Sequence, residues 1–447
     1  MYAMKDDFFK QSVRIAVPVA LQAMLQSSFS MIDQVMVGQL GSRSIAAMEI
    51  AGKPGFILTF VTGAVATIAG IMVSQYLGKG DYKAVGRAVS VNVATACLVA
   101  ALFTVVVAGC PLKLSSLFTD SSAVASESAA YLRIIAFSFL PNALALIPAV
   151  YVRCLNKAQY PLYASFAAAL VNTGLNWLLI FGHFGAPALG IRGAAIASVV
   201  SSLINLAIIL AIFALMAKRQ PHSLNWSLSL GKAGYRQFAL MLIPVVANEF
   251  FWSVGQSVNT FIYAHLGTEE LAAMSLTGPV QGLFIGALSG ISQAAGILIG
   301  KRLGQKDYDS ALNESKRLCW YGLIGSVALS LVLIAVAAPY TRLYHVEPSV
   351  CHTAVLLLAE FAVLAPVKVL NMILGGGIVR SGGQTKYIMI IDMAGTWLVG
   401  IPLALITAFV LKMPIVWVYF ILSQEEAVRL IITIFIFKSR RWMNTIN

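Results

Sequence analysis

The chain has 447 residues, 59% of them hydrophobic and 11% charged, with a mean hydropathy of +0.83. A soluble domain carries about 25% charged residues, so this composition excludes an ordinary globular protein. Lys and Arg number 31 against 18 acids, a formal net charge of +13, but no basic, aromatic-interleaved patch lies outside the apolar stretches, which argues against nucleic acid as a partner.

Twelve stretches are apolar enough over about 20 residues to cross a bilayer as helices. They lie near 13–38, 46–77, 88–110, 128–152, 160–181, 190–216, 238–264, 272–299, 318–339, 353–379, 386–410 and 414–437. The N-terminus carries Asp6 and Asp7 and runs straight into helix 1, without a cleavable signal pattern. Helix 1 holds Asp33 among Met31, Ile32, Val35 and Val37. An acid inside the membrane is costly and is a functional candidate by default. In helix 2, Glu49 and Lys53 have the four-residue spacing of an ion pair. Helix 5 carries Asn172 and Asn176 on one face, and helix 6 carries Ser198. The basic stretch 217–237 is too short for a domain and reads as a cytoplasmic linker.

Helix 7 holds Glu249 five residues after Pro244, with Trp252 on roughly the same face and Asn259 further on. An acid beside an aromatic is a seat for an organic cation. Helix 10 carries Glu360, Lys368 and Asn371; the lysine is expected to pair with an acid or to reach an interface. Helix 11 has Asp392 six residues after Lys386, and helix 12 has Glu425 and Arg429 four apart. Five cysteines show no paired spacing and five histidines no metal-ligand pattern. There is no phosphate-cradling GxxxxGK[ST] string and no catalytic constellation, so neither ATP hydrolysis nor an enzyme is expected, and no cofactor.

The chain repeats itself. Pro18 to Tyr82 lies over Pro244 to Tyr308 without a gap, at a shift of 226 (244 − 18). Leu40-Gly41 falls on Leu266-Gly267, Ala46-Ala47-Met48 on Ala272-Ala273-Met274, and Asp81-Tyr82 on Asp307-Tyr308. Asp33 falls on Asn259 and Glu249 on Ala23, so each acid belongs to one half. The loops LGKGDY and LGQKDY read as tight helix ends capped by Gly. Two matched apolar halves suit a transporter. The expected division is a six-helix bundle over 1–216, the linker 217–237, and a second six-helix bundle over 238–447. Basic residues gather in the connections on one side, as in Lys79, Lys83, Arg153, Lys218, Arg219, Lys301, Arg302 and Arg380, and on both tails. The other side holds Arg43, Lys113, Arg192, Arg342 and Lys412. This asymmetry places both termini in the cytoplasm of a multi-pass cell-membrane protein.

Four strings carry a resemblance: MIDQVMVGQLG in helix 1, SQYLGKGDYKAVGRA after helix 2, NTGLNWLLIFGHFGAPALGIRGAAIAS across helices 5 and 6, and GGGIVRSGGQTK after helix 10. With twelve spans and the six-plus-six repeat, the chain resembles the multidrug and toxic compound extrusion (MATE) transporters from end to end. The resemblance implies an all-α membrane fold of two six-helix bundles forming a V around a central cavity. It also implies a monomer among membrane lipids that exports small, mostly cationic organic compounds in exchange for protons or sodium. A lipid-linked precursor flippase of the same superfamily is the alternative. Carried over position by position, Asp33, Asn172, Asn176 and Ser198 form the cation-coupling site. Many relatives carry a Glu in helix 7, in some branches about one turn after Glu249; Glu249, Trp252, Asn259 and Asn371 are the expected substrate-binding set, and an Asp is common at the place of Asp392. Relatives carry an acid where this chain has Asn176, and some carry one where it has Asn371. A site with one carboxylate favours the proton, because a single charge offsets less of the dehydration of sodium.

Overall fold

A backbone in hydrocarbon must satisfy its own N–H and C=O groups, and a helix does so within one segment. The apolar runs accordingly fold as helices. A computed structural model describes residues 2–220, 224, 226–344 and 346–446, with side chains from Asp7 onward. Residues 221–223 and 225 of the expected linker lie outside the described residues.

Among the described residues, eleven helices are long and apolar enough to span a bilayer. They are α1 (Tyr2–Gly38), α2 (Ser42–Lys79), α3 (Tyr82–Gly109), α4 (Ser122–Cys154), α5 (Gln159–Phe181), α6 (Ile191–Lys218), α7 (Gly231–Leu266), α8 (Thr268–Gly304), α9 (Tyr308–Thr341), α10 (Pro348–Val379) and α11 (Thr385–Val410). The twelfth expected span, α12, is in two pieces, Ile415–Ser423 and Glu425–Lys438, parted at Gln424. Glu425, Glu426 and Arg429 follow the break at once, and these charges dilute the apolar run there. No strand occurs among the described residues.

The packing groups the chain into two units. One is Leu21–Tyr235; the other joins residues 1–20 to Arg236–Asn447. The first turns of α1 therefore pack with the second repeat, although by sequence they precede the first. Gly290 on α8 lies so close to the Ala16 carbonyl oxygen that a Cβ there would overlap it.

In the first unit small side chains fill helix contacts while several large apolar ones face outward. Ala64, Ala69, Ala88, Ala96 and Ala100 are buried, while Leu98, Leu102 and Val105 stand outward on α3. Lipid is as apolar as leucine, so large side chains gain nothing by leaving it, and small ones let helices approach closely.

The repeat is visible in the caps. Asp81 accepts from the Ala84 N–H at 2.9 Å, and Asp307 from the Ser310 N–H at 3.1 Å, with matching backbone angles. The loops are not both capped by glycine, however. Gly80 takes the left-handed conformation at φ 76°, and its repeat partner Lys306 takes it at φ 60°.

The second unit has a local feature that the described residues of the first lack. α10 widens into π-helical turns over Met372–Val379, and α11 does so over Ala394–Gly400 and Ile406–Val410. Such turns are rare and concentrate at functional sites.

Candidate functional site

In the first unit, α1 brings Asp33 to α5. Asn176 Nδ2 donates to Asp33 Oδ1 at 2.6 Å and to Asn172 Oδ1 at 3.2 Å. Both asparagines are buried, Asn176 almost wholly. The 3.6-residue helical period puts them one turn apart on the same face, and α6 packs against that face. The Asn172 amide fits its neighbours with oxygen and nitrogen placed either way round, and only the first way keeps the bond from Asn176 Nδ2. In the first, Nδ2 donates to Ser198 Oγ at 3.3 Å and Ser201 Oγ at 3.5 Å on α6, and Oδ1 faces the Asp33 carboxyl. Turned over, Nδ2 donates to Asp33 Oδ1 at 2.8 Å and Oδ2 at 3.2 Å. In the first orientation two acceptors oppose each other unless Asp33 carries a proton or a cation lies between them. Asn176 Oδ1 is buried with no hydrogen-bond partner, one more oxygen at the same place. Tyr131 on α4, also buried, lies against Ser198 and within the field of Asp33.

Asp33 and the three residues expected around it thus meet. Ser201 and Tyr131 complete the group and escaped the sequence reading. Ser201 lies one turn from Ser198 and could have been found by that spacing; Tyr131 has no local signal.

The second unit holds a different arrangement. Arg429 on α12 sits among three acids: Glu425 at 3.1 Å, Glu426 at 3.7 Å and Asp392 of α11 at 3.9 Å. It also donates to Thr396 Oγ1 on α11. Asn248 on α7 donates to Asp392 Oδ2 at 2.9 Å. Lys368 Nζ on α10 lies 3.9 Å from Glu426 Oε1. Asn371, one turn on, donates to the Glu426 backbone oxygen at 2.7 Å and to its Oε2 at 2.9 Å. Three carboxylates therefore face two cations. Of the two ion pairs expected from i, i+4 spacing, Glu425–Arg429 is internal, whereas Glu49–Lys53 (2.6 Å) stands exposed on α2.

A cavity of ≈ 310 Å³ adjoins this network. Asn259, Gln281, Lys368, Tyr419, Glu425 and Glu426 form its polar wall, and Leu271, Met274, Phe361 and Leu364 its apolar one. A larger hollow of ≈ 480 Å³ is lined by Leu312, Trp320, Leu374 and Phe437, with Lys316 and Lys438 but no acid; it reads as a lipid-facing groove.

Of the expected substrate set, Asn259 lines the first cavity and the other three residues lie elsewhere. Asn371 instead holds Glu426 in place. Glu249 is not among the lining residues and lies in the field of Arg380 and Asp392. Trp252 is 41% exposed and likewise not among them. Glu426 was missed; three charges within one turn of an apolar span were the available signal.

The MatE family pattern matches twice, at residues 18–178 and 244–406, and its second start falls on the internal repeat. The chain is 23% identical over 430 residues to the uncharacterized transporter YisQ of Bacillus subtilis, covering 95% of this chain and 93% of that one. It is 24% identical to a probable multidrug resistance protein NorM of Agrobacterium fabrum (98% and 95% covered) and 27% identical to one of Bradyrhizobium diazoefficiens (90% and 87%). Among solved structures, the Vibrio cholerae MATE transporter VcmN in its bent form superposes with a TM-score of 0.87 at 17% identity, covering 98% of this chain and 99% of that one. The eukaryotic MATE transporter AtDTX14 gives 0.81 at 18% identity, with 98% and 97% covered. Two family matches in register with the duplication, on an all-helical fold shared with these structures, establish that the chain belongs to the MatE family and is a multi-pass membrane transporter rather than an enzyme.

Proposed function

We propose that the chain exports small organic cations from the cell, as a monomer with both termini cytoplasmic, in exchange for protons taken up at Asp33. The observation that carries this reading is a single carboxylate, Asp33, held by the Asn176 amide at 2.6 Å with the Asn172 amide beside it. With Asp33 charged, the amide turns to donate to both of its oxygens. With Asp33 protonated, the carboxyl O–H donates to Asn172 Oδ1, and the freed Nδ2 returns to Ser198 and Ser201 on α6. One proton thus changes which helices the Asn172 amide ties together.

Two packings of one unit, biased by a ligand, are what a population shift requires. The site has one full negative charge, and its other oxygens are neutral, a donor set better suited to a proton than to dehydrated sodium. The family's NorM relatives named for multidrug resistance, and the net-negative cavity of the second unit, support organic cations as cargo. Orientation rests on the basic connections and tails.

The test is ethidium efflux from proteoliposomes under separately imposed gradients. A pH gradient alone should drive efflux, and a sodium gradient alone should not. Robust efflux on sodium with pH clamped, lost in Asn176→Ala, would replace the proton by sodium.

A further inference from the structure

The cavity of the second unit already has an ammonium group in its wall. Lys368 lines it, with its side chain 44% exposed, and stands 3.9 Å from Glu426 Oε1. That distance is long for a charge-assisted hydrogen bond, which runs about 2.7–2.9 Å. Among the described residues, the Lys368 ammonium donates no hydrogen bond. Glu426, by contrast, is held by Asn371 through both its backbone and its carboxylate and shares Arg429. The acid is fixed and the lysine is loosely attached.

A second observation points to a ligand. Asn259 is 7% exposed, lines the cavity, and its Oδ1 has no hydrogen-bond partner. A buried amide oxygen without a donor costs about 1–3 kcal/mol, and a ligand that donates to it recovers that. The unmet need is therefore for a donor. Glu425 and Glu426 of the wall share Arg429 and Lys368, and with Asp392 behind them three acids face two cations, an excess of one negative charge. Phe361, Leu364, Leu271 and Met274 offer an apolar seat opposite. The volume lies at the small end of the drug-sized range.

We propose that this cavity takes an organic monocation bearing N–H groups, and that Lys368 is its built-in competitor: the entering ammonium displaces Lys368 from Glu426 and donates to Asn259 Oδ1. This rests on the organic-cation reading above and adds a place, a ligand chemistry and a residue that sets affinity. A tethered competitor keeps binding weak enough for release, because the lysine re-enters as the cation leaves. Cations without N–H groups leave Asn259 unsatisfied and bind more weakly.

The experiment is fluorescence binding to the purified full chain in detergent, using two acridinium monocations. Proflavine carries amino N–H groups; 10-methyl acridine orange is its fully N-methylated analogue. Wild type should bind proflavine more tightly than the methylated dye. Lys368→Gln should tighten both dyes about tenfold, and Lys368→Arg should stay near wild type. Asn259→Leu should weaken proflavine while leaving the methylated dye unchanged. Thermal stability of each variant in detergent confirms that it is folded, and the Arg variant carries the test if the Gln variant is not. Equal or weaker dye binding in Lys368→Gln, beside intact wild-type binding, overturns the competitor role alone. Equal loss of both dyes in Asn259→Leu overturns the N–H requirement. Wild type that binds neither dye overturns this proposal together with the organic-cation reading.

Discussion

The two repeats place one equivalent position in two different chemistries. Asp33 in the first unit is a lone carboxylate among amides and hydroxyls on regular helices. Asn259, its repeat partner, is the neutral member of a cavity whose charge comes from elsewhere, from Glu425, Glu426 and Lys368. In the first unit a single proton can change the net charge from −1 to zero, because no cation stands beside Asp33. In the second, Arg429 and Lys368 spread compensation over three acids, so one proton changes little and a cation can exchange with a cation. The duplication supplied the same scaffold twice. The two copies differ in where their charges stand: one acid at Asp33 in the first, and Glu425, Glu426 and Lys368 on α12 and α10 in the second.

That contrast can be broken. The largest effect is expected of Asp33→Asn, which removes the only titrating charge of its cluster. Ethidium efflux should fall to that of protein-free liposomes while insertion and thermal stability are kept; wild-type efflux at normal expression would end the comparison.

Arg429→Met should act on stability instead. It leaves Glu425, Glu426 and Asp392 without their shared partner, and breaking a buried ion pair from one side costs about 3–5 kcal/mol. The readout is the thermal transition in detergent. A variant that melts with wild type would mean that the three acids are already neutral or solvated.

Asn176→Asp sharpens the comparison by giving the first unit a second carboxylate. Sodium-driven efflux should then rise about tenfold over wild type, the effect of about 1.4 kcal/mol. No gain would mean that the amide oxygens, and not the missing acid, limit sodium.

The smallest effects lie at the paired loops. A hydrogen bond from the Ser310 side chain, joined by its backbone N–H and the nearby Arg302, holds the Asp307 carboxyl below the ordinary carboxylate range. A depressed carboxyl contributes stability that is present above its unfolded pKa. That stability disappears only as pH falls through the lower folded value, so the cap persists at neutral pH and weakens in acid below about 4. Asp307→Ala should cost about 1 kcal/mol at pH 7. Lys306→Gly, which restores the glycine found at position 80, should gain about 1 kcal/mol or less by relieving a left-handed lysine. Thermal shifts at pH 7 check both, and a destabilised Lys306→Gly would show that the side chain makes an offsetting contact.

How far the sites could be read in the sequence differs between the halves for the same reasons. Asp33, Asn172, Asn176 and Ser198 were legible because an acid in an apolar helix is anomalous and because i, i+4 amides share a face. Glu249 was equally anomalous, yet it does not line the cavity; anomaly marks a residue without saying where its helix turns it. Asn371 was taken for a substrate contact, and its amide instead holds Glu426, 55 residues later in the chain.

The sequence by itself determined the class, the repeat and the helices. These depend on composition and local periodicity: hydrocarbon tolerates no unpaired backbone, so an apolar run of 20 residues has one outcome. Only the tertiary structure decided that α12 breaks at Gln424, that residues 1–20 pack with the second unit, that Tyr131 and Ser201 join Asp33, and that Arg429 gathers acids from two helices. Each depends on which side chains meet across helices. In a membrane, where every face is apolar, no amphipathic stripe tells one helix which neighbour to face.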